Sequence, residues 1–178
     1  GDNIYLSPTS VGVAEIFTAW MNDFETTDYI GRSHQLMTVD AERRFLDKHM
    51  DDKCSFAIVE LENDKLIGTI SLENINHISR TAILGIFIGD KPSRNKGYGT
   101  EAIRLLLDYG FNYLNLNNIK LDVLEINERA IACYKKCGFK EYGRRRKCIF
   151  LDGKYYDRIN MDILKEEFTE KYIKNRNI

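Results

Sequence analysis

Apolar residues recur at two different spacings along this chain, and the switches between them predict its elements. Val13, Ile16, Phe17, Trp20 and Met21 fall at helical spacing, which predicts an amphipathic helix over residues 11–21. Thr38 is placed to cap a second helix with Ala41, Phe45 and Leu46 on its apolar face, and Asp40 and Glu42 favour its first turn. The polar stretch from Asn22 to Met37 between them reads as a loop. Residues 55–61 and 65–72 read as strands joined by the turn-like Glu62-Asn63-Asp64, a hairpin. Thr81 to Ile88 is apolar at nearly every position, the pattern of a central strand covered on both faces. Helical spacing returns from Gly99 to Leu114, where Ile103, Leu106, Leu107, Gly110, Phe111 and Leu114 share a stripe. A strand over residues 119–126 and a helix over residues 127–137 follow. The chain closes in a hairpin, residues 147–151 and 154–164, around Asp152-Gly153, where both positions tolerate positive φ. Helices, an antiparallel meander, a βαβα unit and a closing hairpin make a mixed α/β sheet. Pro8 and Pro92 are the only prolines, and no linker, repeat or low-complexity run interrupts the sequence, so residues 1–178 read as a single domain.

Composition narrows the class. A chain of 178 residues can bury a core without staples. Hydrophobic residues at 43% and charged residues at 30% place it among globular proteins rather than disordered or membrane chains. A formal net charge of −1 argues against nucleic acid or an anionic membrane as main partner. No apolar run approaches the roughly 18–20 residues of a membrane span, and Gly1-Asp2-Asn3-Ile4 lacks the basic and apolar regions of a secretion signal. A cytoplasmic location is the expectation. Cys54, Cys133, Cys137 and Cys148 are too sparse for a disulfide framework and read as free thiols. Cys133 and Cys137, spaced i, i+4, share a helix face, but His34, His49 and His77 lie far upstream, so no metal site is expected.

The chemistry enters at Arg94-Asn95-Lys96-Gly97-Tyr98-Gly99, which joins the central strand to a helix. Gly97 and Gly99 let the backbone turn tightly with its N–H groups converging, and the helix N-terminus favours an anion there. Arg94 and Lys96 add positive charge, so the turn suits a diphosphate. A plain strand-to-helix turn with solvated basic residues would look the same by itself. Gly97-x-Gly99-x-x-Ala102, with Asp122 about 20 residues on, also fits a dinucleotide-binding fingerprint and hence a nicotinamide-dependent oxidoreductase. The polar segment from Asp90 to Lys96, the preceding antiparallel meander and the short remaining chain argue against that reading.

Arg94-x-x-Gly97-x-Gly99 resembles the acetyl-CoA pyrophosphate loop of the GNAT superfamily of N-acetyltransferases. Asn127-Glu128-Arg129-Ala130 through Tyr134 to Gly138-Phe139 is similar to its second signature, at the right separation. The ends, Trp20-Met21-Asn22-Asp23 and Asp152-Gly153-Lys154-Tyr155-Tyr156-Asp157, resemble the RimJ/RimL-like branch, whose relatives acetylate ribosomal-protein N-termini or spermidine. One departure stands out: Leu6-Ser7-Pro8 occupies the place of a Leu-Arg-Pro segment, so nothing attached to that arginine carries over. The resemblance implies a GNAT fold: a mixed, mostly antiparallel sheet splayed between its two parallel central strands, with helices on both faces. It implies direct acetyl transfer from acetyl-CoA, without a metal, to a primary amine on a protein N-terminus, a polyamine or a small molecule. A homodimer or larger homo-oligomer would follow family habit. A CoA-binding homologue that has lost catalysis is the alternative.

On that resemblance the backbone of Ile86, Phe87 and Ile88 pairs with pantetheine, Arg94 to Thr100 (Arg94, Asn95, Lys96, Gly97, Tyr98, Gly99, Thr100) holds the pyrophosphate, and Asn127 binds the pantetheine arm. An amine must lose a proton before attack, the oxyanion needs a donor such as a backbone N–H near Phe87 or Ile88, and the leaving thiolate benefits from an acid. Tyr134 matches the family's tyrosine for the acid, against the plainer reading that it only packs on the sheet. Glu73, then His77 or Glu125, are candidates for the base. Two charge features complete the reading. Arg144-Arg145-Arg146-Lys147 reads as a solvated start to the last hairpin. Residues 20–52, with eight acidic and four basic residues, would give an acceptor pocket an acidic rim.

Overall fold

A computed structural model describes residues 1–31, 36–49 and 54–173, with Lys48 and His49 described in backbone only. Seven strands form one sheet in the order β1-β2-β3-β4-β5-β7-β6. They are β1 (Ile4–Pro8), β2 (Ser55–Glu60), β3 (Lys65–Asn76), β4 (Thr81–Ile88), β5 (Asn118–Leu124), β6 (Lys140–Leu151) and β7 (Lys154–Leu164). Every pairing is antiparallel except β4 with β5. The helices are α1 (Ala14–Met21), α2 (Phe24–Thr27), α3 (Val39–His49), α4 (Tyr98–Asp108) and α5 (Glu128–Lys136).

Burial follows the strand period. Ile67, Ile70, Leu72, Ala82 and Leu84 from the meander join Ile103, Leu106 and Leu107 of α4 and Tyr134 and Cys137 of α5 in the main core. A smaller cluster of Ala14, Phe17 and Leu46, flanked by Trp20 and Leu66, seats α1 and α3 elsewhere on the sheet. No helix among the described residues is long and apolar enough to cross a membrane.

Several elements depart from expectation. The first strand, β1, emerges where only helix and irregular chain were read: five residues ending in Pro8 pair with β2 at an edge, where a missing donor is tolerated. The Asn22–Met37 loop contains α2 and a 3₁₀ turn at Asp28–Ile30, while residues 32–35 lie outside the described chain. The helix expected to run to Leu114 is α-helical only to Asp108, then widens into a π turn over Tyr109–Tyr113. Strand β6 begins at Lys140 rather than 147, because its polar first half is recruited by the buried Ile159, Met161 and Ile163 of β7. In β5 the apolar positions Ile119, Leu121 and Val123 are followed directly by Leu124, without a bulge. The strand β5 stays in register with β7 throughout, and Leu124 is buried on its other face near Gly31.

Candidate active site

The strands β4 and β5 pair only at Thr81↔Asn118, Ala82↔Ile119 and Ile83↔Lys120. Beyond that point β4 keeps its ladder with β3 as far as Ile88, and β5 keeps its ladder with β7 as far as Leu124. The two facing edges therefore diverge and leave backbone groups unclaimed by the sheet. Five residues of β4, Leu84 to Ile88, extend past the last pair. At about 3.3 Å each they make an opening roughly 17 Å long. It belongs to a cavity of about 1520 Å³ that reaches from α3 to the N-terminus of α4. An extended chain can lie in such a split as an added strand does.

At the far end of β4 a 3₁₀ turn, Lys91–Ser93, leads into the glycine loop. Asn95 (φ 63°) and Gly97 (φ 88°) are both left-handed. The asparagine gives no glycine signal, yet its side chain is one of the few that tolerates this conformation. The first helical bond of α4 runs from the Glu101 N–H to the Gly97 carbonyl at 3.0 Å. The N–H groups of Tyr98, Gly99 and Thr100 have no partner within the helix, which is the arrangement that receives an anion. Asn95, Gly97, Gly99 and Thr100 line the cavity.

The cationic residues of this loop behave differently from one another. The Arg94 guanidinium donates to the carbonyls of Ile88 (3.0 Å) and Gly89 (3.2 Å) and to Thr26 Oγ1 (2.9 Å). Its hydrogen bonds thus brace the loop and hold α2 against it, while its charge still faces the cavity. Beside it, Lys91 pairs with Asp23 at 2.9 Å and Glu25 at 2.8 Å. Lys96 lies 5.8 Å from the ring of Tyr98, whose hydroxyl donates to Glu60, a bond that pushes the phenol up to about 12. Neither Lys96 nor Tyr98 lines the cavity.

Asn127 caps α5, its Oδ1 accepting the Ala130 N–H at 3.2 Å while Nδ2 donates to the Tyr29 carbonyl at 3.3 Å. Tyr134, two turns along, lines the cavity and is 8% exposed, with its ring edge-on to Phe139 at 6.0 Å. Its hydroxyl makes no hydrogen bond among the described residues, and burial pushes its pKa well above the ordinary phenol range. Among the described residues it is a protonated donor without an acceptor on the cavity wall.

Elsewhere on the cavity wall, β3 and β4 present Thr69, Ser71 and Glu73 beside Phe87, Gly85 and Ile83 in matched register, so these positions share one face. All six line the cavity. Ser71 Oγ donates to Glu73 Oε1 at 2.9 Å. A Cβ at Gly85 would sit 3.2 Å from that hydroxyl and 3.4 Å from that carboxylate, so the missing side chain clears the approach beneath them. Ser71 and Gly85 escaped the sequence argument, although the two-residue spacing of Ser71 and Glu73 on a strand already placed them on one face. The other base candidates are elsewhere. His77 is in an exposed turn off the cavity, and Glu125 accepts the Asp157 N–H at 2.7 Å with Arg144 at 3.7 Å.

Charge is segregated along the cavity. Arg94, Arg129 and Lys136 line it near the glycine loop, whereas Glu42 and Glu73 line it toward α3 and the closed end of the split. Asp122 and Arg158 also line it, as an ion pair at 2.6 Å that offsets both charges. The four cysteines are free. Among the described residues no group of three or more His, Cys, Asp or Glu could hold a metal ion; His34 and the His49 side chain lie outside them.

The profile of the acetyltransferase (GNAT) domain matches residues 4–140. "Probable N-acetyltransferase YjcK" of Bacillus subtilis (strain 168) is 32% identical over 177 residues, covering 94% of this chain and 97% of that protein. The spermidine N(1)-acetyltransferase of Escherichia coli (strain K12) is 35% identical over 127 residues, 71% of this chain and 67% of its own length. Among solved structures, spermidine N-acetyltransferase from Vibrio cholerae in complex with CoA and spermine superposes with a TM-score of 0.84 at 28% identity, covering 94% of this chain and 98% of that one. The split sheet, the glycine loop and these relationships agree: this chain belongs to the GNAT superfamily and is an acetyl-CoA-dependent N-acetyltransferase.

Proposed function

We propose that the chain acetylates a terminal primary amine of a linear polyamine, with spermidine as the reference acceptor. The observation that carries this reading is the charge segregation of the cavity, cationic beside the glycine loop and acidic at Glu42 and Glu73. One end suits a diphosphate and the other a polycation, which are the two charges the reaction brings together. Acetyl-CoA supplies the acyl group as a thioester. The N–H groups of Tyr98, Gly99 and Thr100 bind its diphosphate, with the charges of Arg94, Arg129 and Lys136 alongside. The edge of β4 from Ile86 to Ile88 pairs with its extended arm. A backbone N–H at Phe87 or Ile88 stabilises the oxyanion. Glu73, held by Ser71, takes the proton from the incoming ammonium directly or through water, and Tyr134 gives one to the departing thiolate. Asn127, whose amide caps α5, acts by fixing the helix that carries Tyr134.

Turnover of acetyl-CoA, read as free thiol, distinguishes the acceptors. Spermidine is expected to exceed short peptides with free N-termini by at least about tenfold in kcat/KM, as a site whose carboxylates are matched to a second ammonium should. A peptide preferred over spermidine would overturn the polyamine reading and favour protein N-termini. Glu73→Gln is expected to lower kcat/KM for spermidine by roughly 10²-fold with KM for acetyl-CoA unchanged. An unchanged rate would move the base elsewhere.

A further inference from the structure

One nucleophile in the cavity has no part in acetyl transfer. Cys133, on α5, lies on the cavity wall with Sγ 3.3 Å from the Thr100 hydroxyl. A Cβ on Gly99 would stand 4.0 Å from the same sulfur, so the thiol lies directly against the glycine loop. Cys137, one helical turn further, is buried, and its S–H donates to the Thr100 carbonyl with Sγ 3.7 Å from the oxygen. Thr100 is thus held by both cysteines, and its O–H is placed to donate to Cys133. Around them are the N-terminus of α4 and the side chains of Arg104 and Lys136. The neighbouring Cys137 thiol, with help from Thr100 and these cations, outweighs burial and holds the Cys133 thiol below its ordinary range. Helix N-termini and adjacent cations are the settings in which a cysteine becomes a thiolate at neutral pH.

The other thiols lack this setting. Cys54 is buried in the main core, and the half-buried Cys148 donates to the Arg145 carbonyl at 3.3 Å, its one hydrogen bond among the described residues.

We propose that Cys133 is a thiol-modification site in the coenzyme channel, which takes anionic low-molecular-weight disulfides by thiol–disulfide exchange and is shielded when the channel is filled. The Cys133 thiolate attacks one sulfur of the disulfide R–S–S–R. A Cys133–S–S–R bond forms as the original S–S bond breaks, and the second half leaves as RS⁻ to be protonated by solvent. The disulfide is the oxidant, and excess thiol reverses the step. Arg94, Arg129 and Lys136 at this end of the cavity favour an anionic reagent. The adduct occupies the space against Gly99 and Thr100. Only the shielding by coenzyme rests on the proposed diphosphate site, whereas the reactivity of Cys133 rests on its own neighbours.

Oxidised glutathione is the probe, applied near neutral pH to the whole protein, with adducts mapped by mass spectrometry after acid quenching. Cys133 is expected to react at least about tenfold faster than Cys148, and excess dithiothreitol is expected to restore both the free thiol and turnover. Saturating CoA should slow the reaction at Cys133 and leave Cys148 unaffected. Cys137→Ala, which removes the neighbouring thiol that lowers the Cys133 pKa, should slow Cys133 without changing Cys148. Preferential labelling of Cys148 or Cys54, or labelling of Cys133 that CoA does not slow although CoA raises the melting temperature, would overturn the proposal. If CoA gives no melting shift, the coenzyme assignment fails, while the ratio of Cys133 to Cys148 labelling still decides the reactivity of the thiol.

Discussion

Tyr134→Phe is expected to lower kcat by roughly 10²–10³-fold, the share a positioned proton donor contributes, with KM for acetyl-CoA unchanged. The substitution removes only the hydroxyl. The ring keeps its edge-on contact with Phe139 at 6.0 Å and its place in the main core, so the variant folds and its melting temperature stays at the parent value. Because burial raises the Tyr134 pKa, the working protonated form persists as pH rises and is lost only above that raised value. The parent enzyme should therefore show no fall in kcat from this group below pH about 10. A variant that keeps kcat within about tenfold of the parent, less than 1.4 kcal/mol in the barrier, would assign the acid to another group or to water.

The second large effect concerns the ladder that carries the site. A Cβ on Gly68 would overlap the Phe87 carbonyl oxygen and stand 3.0 Å from Ile88 Cα and 3.1 Å from the Phe87 carbonyl carbon. All three atoms are backbone, so no rotamer change relieves the contact and β3 must move away from β4. Gly68→Ala is expected to cost about 3 kcal/mol or more, at the upper end for overpacking, and to lower the melting temperature by roughly 6–12 °C. Gly143→Ala, with nothing within 4 Å of its Cβ, is the control. It should stay within about 0.5 kcal/mol of the parent. Equal melting temperatures for the two variants would show that β3 and β4 separate at little cost.

The glycine loop was legible because a tight turn into a helix leaves few alternatives, whereas Asn127 and Tyr134 were singled out by the resemblance of their segment to a family signature. The antiparallel meander followed from its apolar runs and from the turn-like Glu62-Asn63-Asp64 between the first two. Strand β1 and the first half of β6 were not legible, since Ser7-Pro8 and Arg144-Arg145-Arg146 carry no strand pattern and become strands through their neighbours. The arginine run proved to be part of the β6 ladder, with Arg144 paired to Glu141 at 2.7 Å. Side-chain commitments were hidden for a related reason. That Arg94 braces Ile88 and Thr26, or that Asp122 is neutralised by Arg158, depends on segments far apart in the chain. The π turn at Tyr109–Tyr113 kept the apolar stripe of α4 and so left no trace in the periodicity.

The short joint between β4 and β5 sets two demands in opposition. Zipping these strands further, past Ile83 and Lys120, would add ladder hydrogen bonds and stiffen the protein. The same zipping would consume the backbone groups at which the proposed binding mode seats an extended acyl carrier. On that proposal, greater rigidity at this seam works against turnover, and a hardened variant of this enzyme draws its added stability from the outer strands.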